Sequence, residues 1–427
     1  MRIRRRSASL RSIVVVLASA ALMTGAFWVL TQPQARVARA NDTTTAVGDP
    51  LPGLTALENT MFGQGVVTFG KDWDPLQGLG PVFNQLGCQH CHSTPVNGGP
   101  GGVGGQVTLF GKINTNGTFN PLLNEGGMLL QTGSNQQFIA NCRLKGEALP
   151  ADATIISIRQ APSLLGAGLL DNVPDAQILA NAVDKGMGVR GVANMVIDEH
   201  GNPRVGHFGL KAQVADLLQF SGQAEQHELG VTNPINPKED LPSGKQYPPA
   251  CSKAPPLNDS GAQLMAVYHF AVYLAPNNPG PPNTNGQALF TNVGCALCHI
   301  PPGTPNSYTT TSDARVPKVF GGPTIHSFAL SSQPVNLYSD LLLHDLGGAN
   351  GDGIPMVLAS GNQWRTAPLW GLSLKINNGI GLMHDGGAAD VRAALARHGG
   401  EATTVVGNFN LLSTQDQDDL IAFISSL

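Results

Sequence analysis

Two stretches of this chain, "VFNQLGCQHCH" at residues 82–92 and "LFTNVGCALCH" at 289–299, repeat one pattern, Cys-x-x-Cys-His behind Phe, Asn and Gly. The spacing sets two sulfurs at i and i+3 and an imidazole at i+4. On a helical turn, Cys88, Cys91 and His92 then share one face, and so do Cys295, Cys298 and His299. That is the geometry of c-type haem attachment, in which both sulfurs form thioethers with the haem vinyl carbons and the His takes the iron. The sequence therefore predicts two covalently bound c-type haems with His92 and His299 as iron ligands. The other use of paired Cys-x-x-Cys motifs, a four-thiolate zinc site, leaves both adjacent histidines without a role. His90, inside the first motif, reads as an exposed spacer.

The N-terminus gives the chain an address. Residues 1–40 begin with "MRIRRR", run through the apolar "IVVVLASAALMTGAFWVL" and close on Ala38-Arg39-Ala40, a small-x-small cleavage site. They read as a signal peptide, with an uncleaved membrane anchor as the alternative, and they predict a periplasmic protein. No Cys stands at the cut to carry a lipid. Loss of seven Arg, with no Asp or Glu, takes the formal charge from −4 to −11. Such a balance argues against nucleic acid and suits basic partners. In an oxidising compartment the two remaining cysteines, Cys142 and Cys251, are expected to pair.

The chain beyond residue 40 is long enough for two or more domains. With 52 Gly, 31 Pro and only 6% aromatics it should be loop-rich, and charged residues at 13% suit a chain folded around a bulky apolar group. Further repeats accompany the Cys motifs. "RQAPSLLG" from Arg159 returns as "RTAPLWG" from Arg365, and "HFGLKAQVADLL" from His207 as "HDGGAADVRAAL" from His384. Three ordered correspondences imply two related halves, at 41–276 and 284–427. The boundary falls in "APNNPGPPNTNG", after the helical "GAQLMAVYHFAVYLA". The final "TQDQDDLIAFISSL" places Leu420, Phe423, Ile424 and Leu427 on one helix face. The expected architecture is mainly α: two cytochrome c-like haem domains with long loops, each closing with a helix across its haem-bearing helix.

The segments "GLGPVFNQLGCQHCH", "RQAPSLLGAGLL", "HFGLKA", "YSDLLLHDLG", "WRTAPLWG", "LMHDGGA" and "HGGEA" together resemble the di-haem oxidoreductase family of peroxidases, also labelled thiol oxidoreductases. The resemblance runs from about residue 55 to the C-terminus. More distantly, the chain is similar to bacterial di-haem cytochrome c peroxidase and to the di-haem enzyme that matures methylamine dehydrogenase. The resemblance implies one six-coordinate electron-transfer haem and one haem that binds hydrogen peroxide or a related oxidant. It also implies a small periplasmic electron-donor protein as partner. Ca2+ between the domains is implied as well, although no acidic loop here has recognisable ligand spacing. The thiol label does not suit a chain whose Cys-x-x-Cys thiols are consumed as thioethers.

In the peroxidase relatives the electron-transfer haem takes its distal ligand from a Met shortly after a "HDGGAATL" segment. Laying "HDGGAADVRAALARHG" over it puts His398 in that slot, which implies a bis-histidine haem on His299 and His398. The same slot in the N-terminal half falls on Ser221 or Gly222, neither a strong ligand, so the His92 haem is the one expected to keep an open position. The relatives' distal Gln and Glu correspond to Gln219 and Glu228 in "LLQFSGQAEQHELG". Glu228 is then the acid/base that moves a proton between peroxide oxygens, and Gln219 a hydrogen-bonding orienter. His227 ranks below Glu228 for that role.

Other candidates follow from the same alignment. His207 stands where relatives carry Arg and reads as an exposed residue or a propionate partner. Phe208 stands where they carry an inter-haem Trp, for which Trp364 and Trp370 are substitutes. Lys211, Arg159 and Arg365 are candidates for haem propionates or for structural salt bridges. His344 and His384, each followed by Asp, read as hydrogen-bonded structural pairs, and Met128 and Met187 as alternative sixth ligands of the first haem. The combined expectation is a periplasmic di-haem peroxidase, with an electron carrier and a partner-modifying oxidase as the other readings.

Overall fold

Thr55 opens the first helix with a capping box: its hydroxyl accepts from the Glu58 backbone N–H while the Glu58 carboxylate takes the Thr55 N–H. In this computed structural model, which describes residues 45–427 apart from 103, 253–256, 278, 279, 281 and 282, that helix is α1 (Ala56–Phe69). Along the chain follow α2 (Ala167–Asp171), α3 (Asp175–Ala180), α4 (Leu217–Leu229), α5 (Ala262–Tyr273) and α6 (Thr284–Val293). The remainder are α7 (Leu372–Asn377), α8 (Val391–Ala396), α9 (Thr403–Asn410) and α10 (Thr414–Ser425). Residues 1–40, read above as a signal peptide, lie outside the described residues. Among the described residues no helix is long and apolar enough to cross a membrane.

Two helix pairs frame the haem motifs. α1, which precedes the first motif, packs on α5, and α6, which runs into the second, packs on α10. Each crossing is close because a glycine stands at it. A Cβ on Gly65 would drive into the Ala266 carbonyl, and one on Gly286 into the Asp419 carbonyl. Leu420, Phe423, Ile424 and Leu427 are all buried at the second crossing, as the helical period predicts.

The expectation of a mainly α protein is wrong. The structure is 30% helical and 14% strand, a mixed α/β fold with several small sheets. The largest is antiparallel and three-stranded, with Gln106–Ile113 between Phe119–Asn120 and Ile155–Gln160. Its two long strands, "QVTLFGKI" and "IISIRQ", are rich in β-branched residues. The other sheets are ladders of two or three residues. Such short pieces pair the backbone of Gly- and Pro-rich loops but are too brief to leave a period in the sequence.

One main core joins Phe69, Leu169 and Phe270 to Tyr308, Leu330 and Leu342. Residues before and after the 276–284 segment therefore bury together. A second core holds Phe290, Tyr338, Phe409 and Phe423. Cys142 and Cys251, 109 residues apart, form the disulfide expected of the two cysteines outside the motifs.

Candidate haem sites

α6 ends at Gly294, whose φ of 106° a residue with a Cβ rarely adopts. The chain then passes at once into a tight turn at Cys295–Leu297, closed by the His299 N–H on the Cys295 carbonyl at 2.9 Å. His299 sets its Nδ1 2.9 Å from the Tyr338 carbonyl. Burial pushes its pKa down to about 4, with the nearness of His398 adding to the effect, so the ring is neutral and keeps an Nε2 lone pair. His398, just past the end of α8, uses its Nδ1 in the same way, 2.8 Å from the Ala394 carbonyl, and burial lowers its pKa too. Both histidines line one cavity of about 330 Å3, walled by Cys295, Cys298 and apolar side chains such as Phe290 and Leu382. That is in the size range of cofactor sites.

The first motif is built alike: a turn at Cys88–His90, with the His92 N–H on the Cys88 carbonyl at 3.1 Å. His92 lies against Phe69, ring centroids 6.4 Å apart, and beside the Pro162 and Gly99 backbone. Burial pushes its pKa down to about 4, and its buried Nδ1 has no hydrogen bond of good geometry. The last turns of α4 pack here, Leu229 sharing an apolar cluster with Cys88. Burial pushes both thiols up to about 12, with Glu225 adding to the effect at Cys88 and Glu228 at Cys91.

Glu228 accepts from Asn84 Nδ2 at 2.9 Å, and burial raises its carboxyl above the usual range. Glu225, which the sequence reading missed, is 2% exposed and has one oxygen without a partner. Burial holds its carboxyl well above the carboxylate range. Its signal in the sequence is the i, i+3 spacing to Glu228, which puts both acids on one side of a helix. Gln219 is not brought to them. It lies nine residues before Glu228, about two and a half turns, on the opposite face of α4. Its side chain is spent on the Ile197 carbonyl at 3.2 Å and the Ala215 N–H at 3.1 Å.

The internal repeat also exists in space. A tight bridge, Phe208 to Val214, is followed by Asp216, which caps α4, and a matching bridge, Leu382 to Ala388, by Asp390, which caps α8. In that register Phe208 corresponds to Leu382, Leu217 to Val391 and Phe220 to Ala394, and all six line the cavity. His398 then corresponds to Ala224 rather than to Ser221 or Gly222. Ala224 has no donor atom, and α4 runs unbroken past it where α8 stops.

With both motifs placed, the chain can be set beside known proteins. Residues 136–427 match the family described as "Di-haem oxidoreductase, putative peroxidase". The chain belongs to the di-haem oxidoreductase family. It is thus an oxidoreductase of a family that works with haem. No curated protein matches it. Among solved structures, a xenon-pressurised hydrazine synthase of Kuenenia stuttgartiensis is 14% identical, over 90% of this chain and 97% of that one. Its TM-score of 0.37 is too low to carry an argument about fold or activity.

A di-haem oxidoreductase has propionates to neutralise, and the residues here fit that need. Arg365 lines the cavity with a buried Nη1 that has no partner, and burial alone pushes its pKa down to about 10. Lys375, also on the cavity wall, is pushed down to about 8 by burial. Neither meets a carboxylate among the described residues. Both side chains are half-buried, and a cation partly withdrawn from water without a carboxylate suits an anionic group beside it. Arg159 and Lys211 differ: both bind Asp352, at 2.5 and 3.2 Å, and form a structural ion cluster.

The remaining candidates of this di-haem oxidoreductase have neighbours of their own. His207 is buried, not exposed, with its nitrogens on the Ala215 and Val173 carbonyls at 2.9 and 3.1 Å. His227 faces Asp240 at 3.0 Å and His90 faces Asp72 at 2.7 Å. His384 stacks on Trp364 with centroids 3.9 Å apart, while Lys211 sits 4.1 Å over the same indole. Trp364 and Trp370 both line the cavity. Met187 packs by Gly294 and Asn408, at the second motif and not the first. Met128 lies beside the Gln106–Ile113 strand, its carbonyl bound by Phe110. Among the described residues the four motif sulfurs form no common metal cluster.

Proposed function

We propose that this protein is a periplasmic di-haem c-type peroxidase. It holds its haems through thioethers at Cys88 and Cys91 and at Cys295 and Cys298, and reduces hydrogen peroxide to water with two electrons from a small donor protein. One observation carries the reading. At corresponding places in the two halves stand His398, facing the cavity with His299, and Ala224, which can bind nothing. One iron would have two histidines and the other a single one, His92, with an open position for the oxidant.

When bound, haem supplies the electron transfer; the chain supplies orientation and protons. His299 and His398 fix their tautomers through Nδ1 and present Nε2. Glu228, its carboxyl raised above the usual range by burial, would be the group that moves a proton between the peroxide oxygens. Asn84 fixes one of its oxygens. Arg365 and Lys375 would hold the haem propionates. The acidic balance of residues 41–427 suits a donor with a basic docking face.

The test is a ferric absorption and EPR spectrum of the purified holoprotein, followed by hydrogen peroxide and a reduced small cytochrome. One high-spin and one low-spin haem, with peroxide consumed at two electrons each, is expected. Two low-spin haems indifferent to peroxide, even after one-electron reduction, would overturn the reading and leave an electron carrier.

A further inference from the structure

Beside the second motif lies a buried polar network that the proposed chemistry does not use. His344 sets Nε2 2.9 Å from Asp340 Oδ2 and Nδ1 2.9 Å from Glu401 Oε2, and its ring reaches Cys298 Sγ at 3.7 Å. Asp340 and His344 are 0% and 2% exposed. Lys185 ties the same Asp340 oxygen at 2.6 Å and the Leu297 carbonyl at 2.8 Å. A His between two carboxylates donates from both nitrogens and is an imidazolium. His344 is held up to about 12 and Glu401 down to about 2, so the pair is ionised across neutral pH.

The network spans the two sides of the second site. On the His299 side, Tyr338 gives the carbonyl that orients His299, and the Asp340 N–H binds the Cys298 carbonyl at 2.8 Å. On the His398 side, Glu401 follows His398 after only Gly399 and Gly400. Gly400 has φ 56°, and a Cβ on it would strike the Asp345 carbonyl, so this link is short and taut. Glu401 gathers the N–H groups of Arg190, Gly191 and Asp345 at 2.9, 3.1 and 3.1 Å besides the His344 ring. On the other side of His398, Arg397 is anchored too, to Asp385 and Asn350; Glu401 is the anchor that reaches the segment supporting His299.

We infer that Glu401 and His344 are positioning residues that hold His398 on the iron of the second haem, so that this haem stays six-coordinate and the oxidant is confined to the first. The inference rests on the reading of His398 as an iron ligand. Neither residue touches iron; Glu401 fixes the arm that carries His398 to the segment that carries the support of His299. Without the clamp the arm swings out and the second haem gains an open position.

The test is ferric EPR of the full-length holoproteins Glu401→Gln, Glu401→Asp, His344→Gln and His398→Ala, with and without free imidazole. Glu401→Gln and His344→Gln should lose more than half of the low-spin signal of the second haem and gain high-spin signal, while Glu401→Asp, which keeps the charge, should retain most of it. Imidazole should restore the low-spin signal of the second haem, which a collapsed site could not allow. The signal is read against the parent protein given the same imidazole, so that ligation of the open first haem cancels. A parent-like low-spin signal in Glu401→Gln, or lost signal that imidazole fails to restore, overturns the inference. If His398→Ala also keeps the parent signal, the assignment of His398 itself falls; if only His398→Ala loses it, the clamp alone is wrong.

Discussion

His299 and His398 each satisfy Nδ1 with a backbone carbonyl, Tyr338 at 2.9 Å and Ala394 at 2.8 Å, and both line one cavity. Two neutral imidazoles so fixed offer two Nε2 lone pairs, the donor set of a low-potential haem. His398→Met should raise the potential of the second haem by an appreciable part of the roughly 0.8 V that axial ligands span. Spectroelectrochemical titration reads it, and an unchanged potential would remove His398 from the iron.

Arg365 and Arg159 repeat one another in sequence but not in partner. Arg365→Met should destabilise the holoprotein, by about 3–5 kcal/mol if a buried ion pair is broken, and should leave the haem-free chain unharmed. Arg159→Met strips Asp352 of a partner and should destabilise both forms. Thermal melts with and without haem separate the two cases.

Proton handling by α4 is separable by isosteric change. Glu228→Gln should lower kcat for peroxide about 10²–10⁴-fold, the usual share of a general acid–base group, with the spectra of the resting protein unchanged. Gln219→Ala should leave kcat near the parent value, because its side chain faces away from the motif and serves Ile197 and Ala215. A large loss in Gln219→Ala would contradict that placement.

The clamp also sets a pH dependence. For His344, burial works against the charged form, but the bonds to Asp340, Cys298 and Glu401 outweigh it and raise the pKa from 6.5 to about 12. Its contribution to stability is full below 6.5 and is lost as pH climbs toward 12. Glu401, lowered from 4.5 to about 2 by His344 and the Arg190 and Asp345 N–H groups against burial, contributes fully above 4.5 and loses that as pH falls toward 2. With Asp340 and Lys185 facing the same pair, Tm should be highest between 4.5 and 6.5 as far as this network decides it. The acid limb should flatten in Glu401→Gln.

The Cys142–Cys251 bond closes a long loop. Cys142→Ser should cost about 2–5 kcal/mol, since the bridge restricts the unfolded chain most when the loop is long. Denaturant melts of parent and variant measure it, and equal midpoints would count against the bridge.

What could be read from the residues in order was local chemistry. Cys-x-x-Cys-His carries its ligand geometry within five residues, and α10 shows its buried face because a helix repeats every 3.6 residues. His398 was pointed to by the resemblance, one segment laid over that of the peroxidase relatives, and it lines the same cavity as His299. The short ladders were not, because two or three paired residues in a Gly-rich loop have no period, and so a mainly α fold was expected where a mixed one stands.

By itself the sequence determined the two motifs, their haem-binding character and the pair of cysteines left to join. Only the tertiary structure decided which of two matching arginines is free for a propionate, that Glu225 stands beside Glu228 while Gln219 turns away, and that Ala224 occupies the place of His398. These facts depend on packing between residues far apart in the chain. Burial there, not residue type, decides which charges are paired and which groups remain open for chemistry.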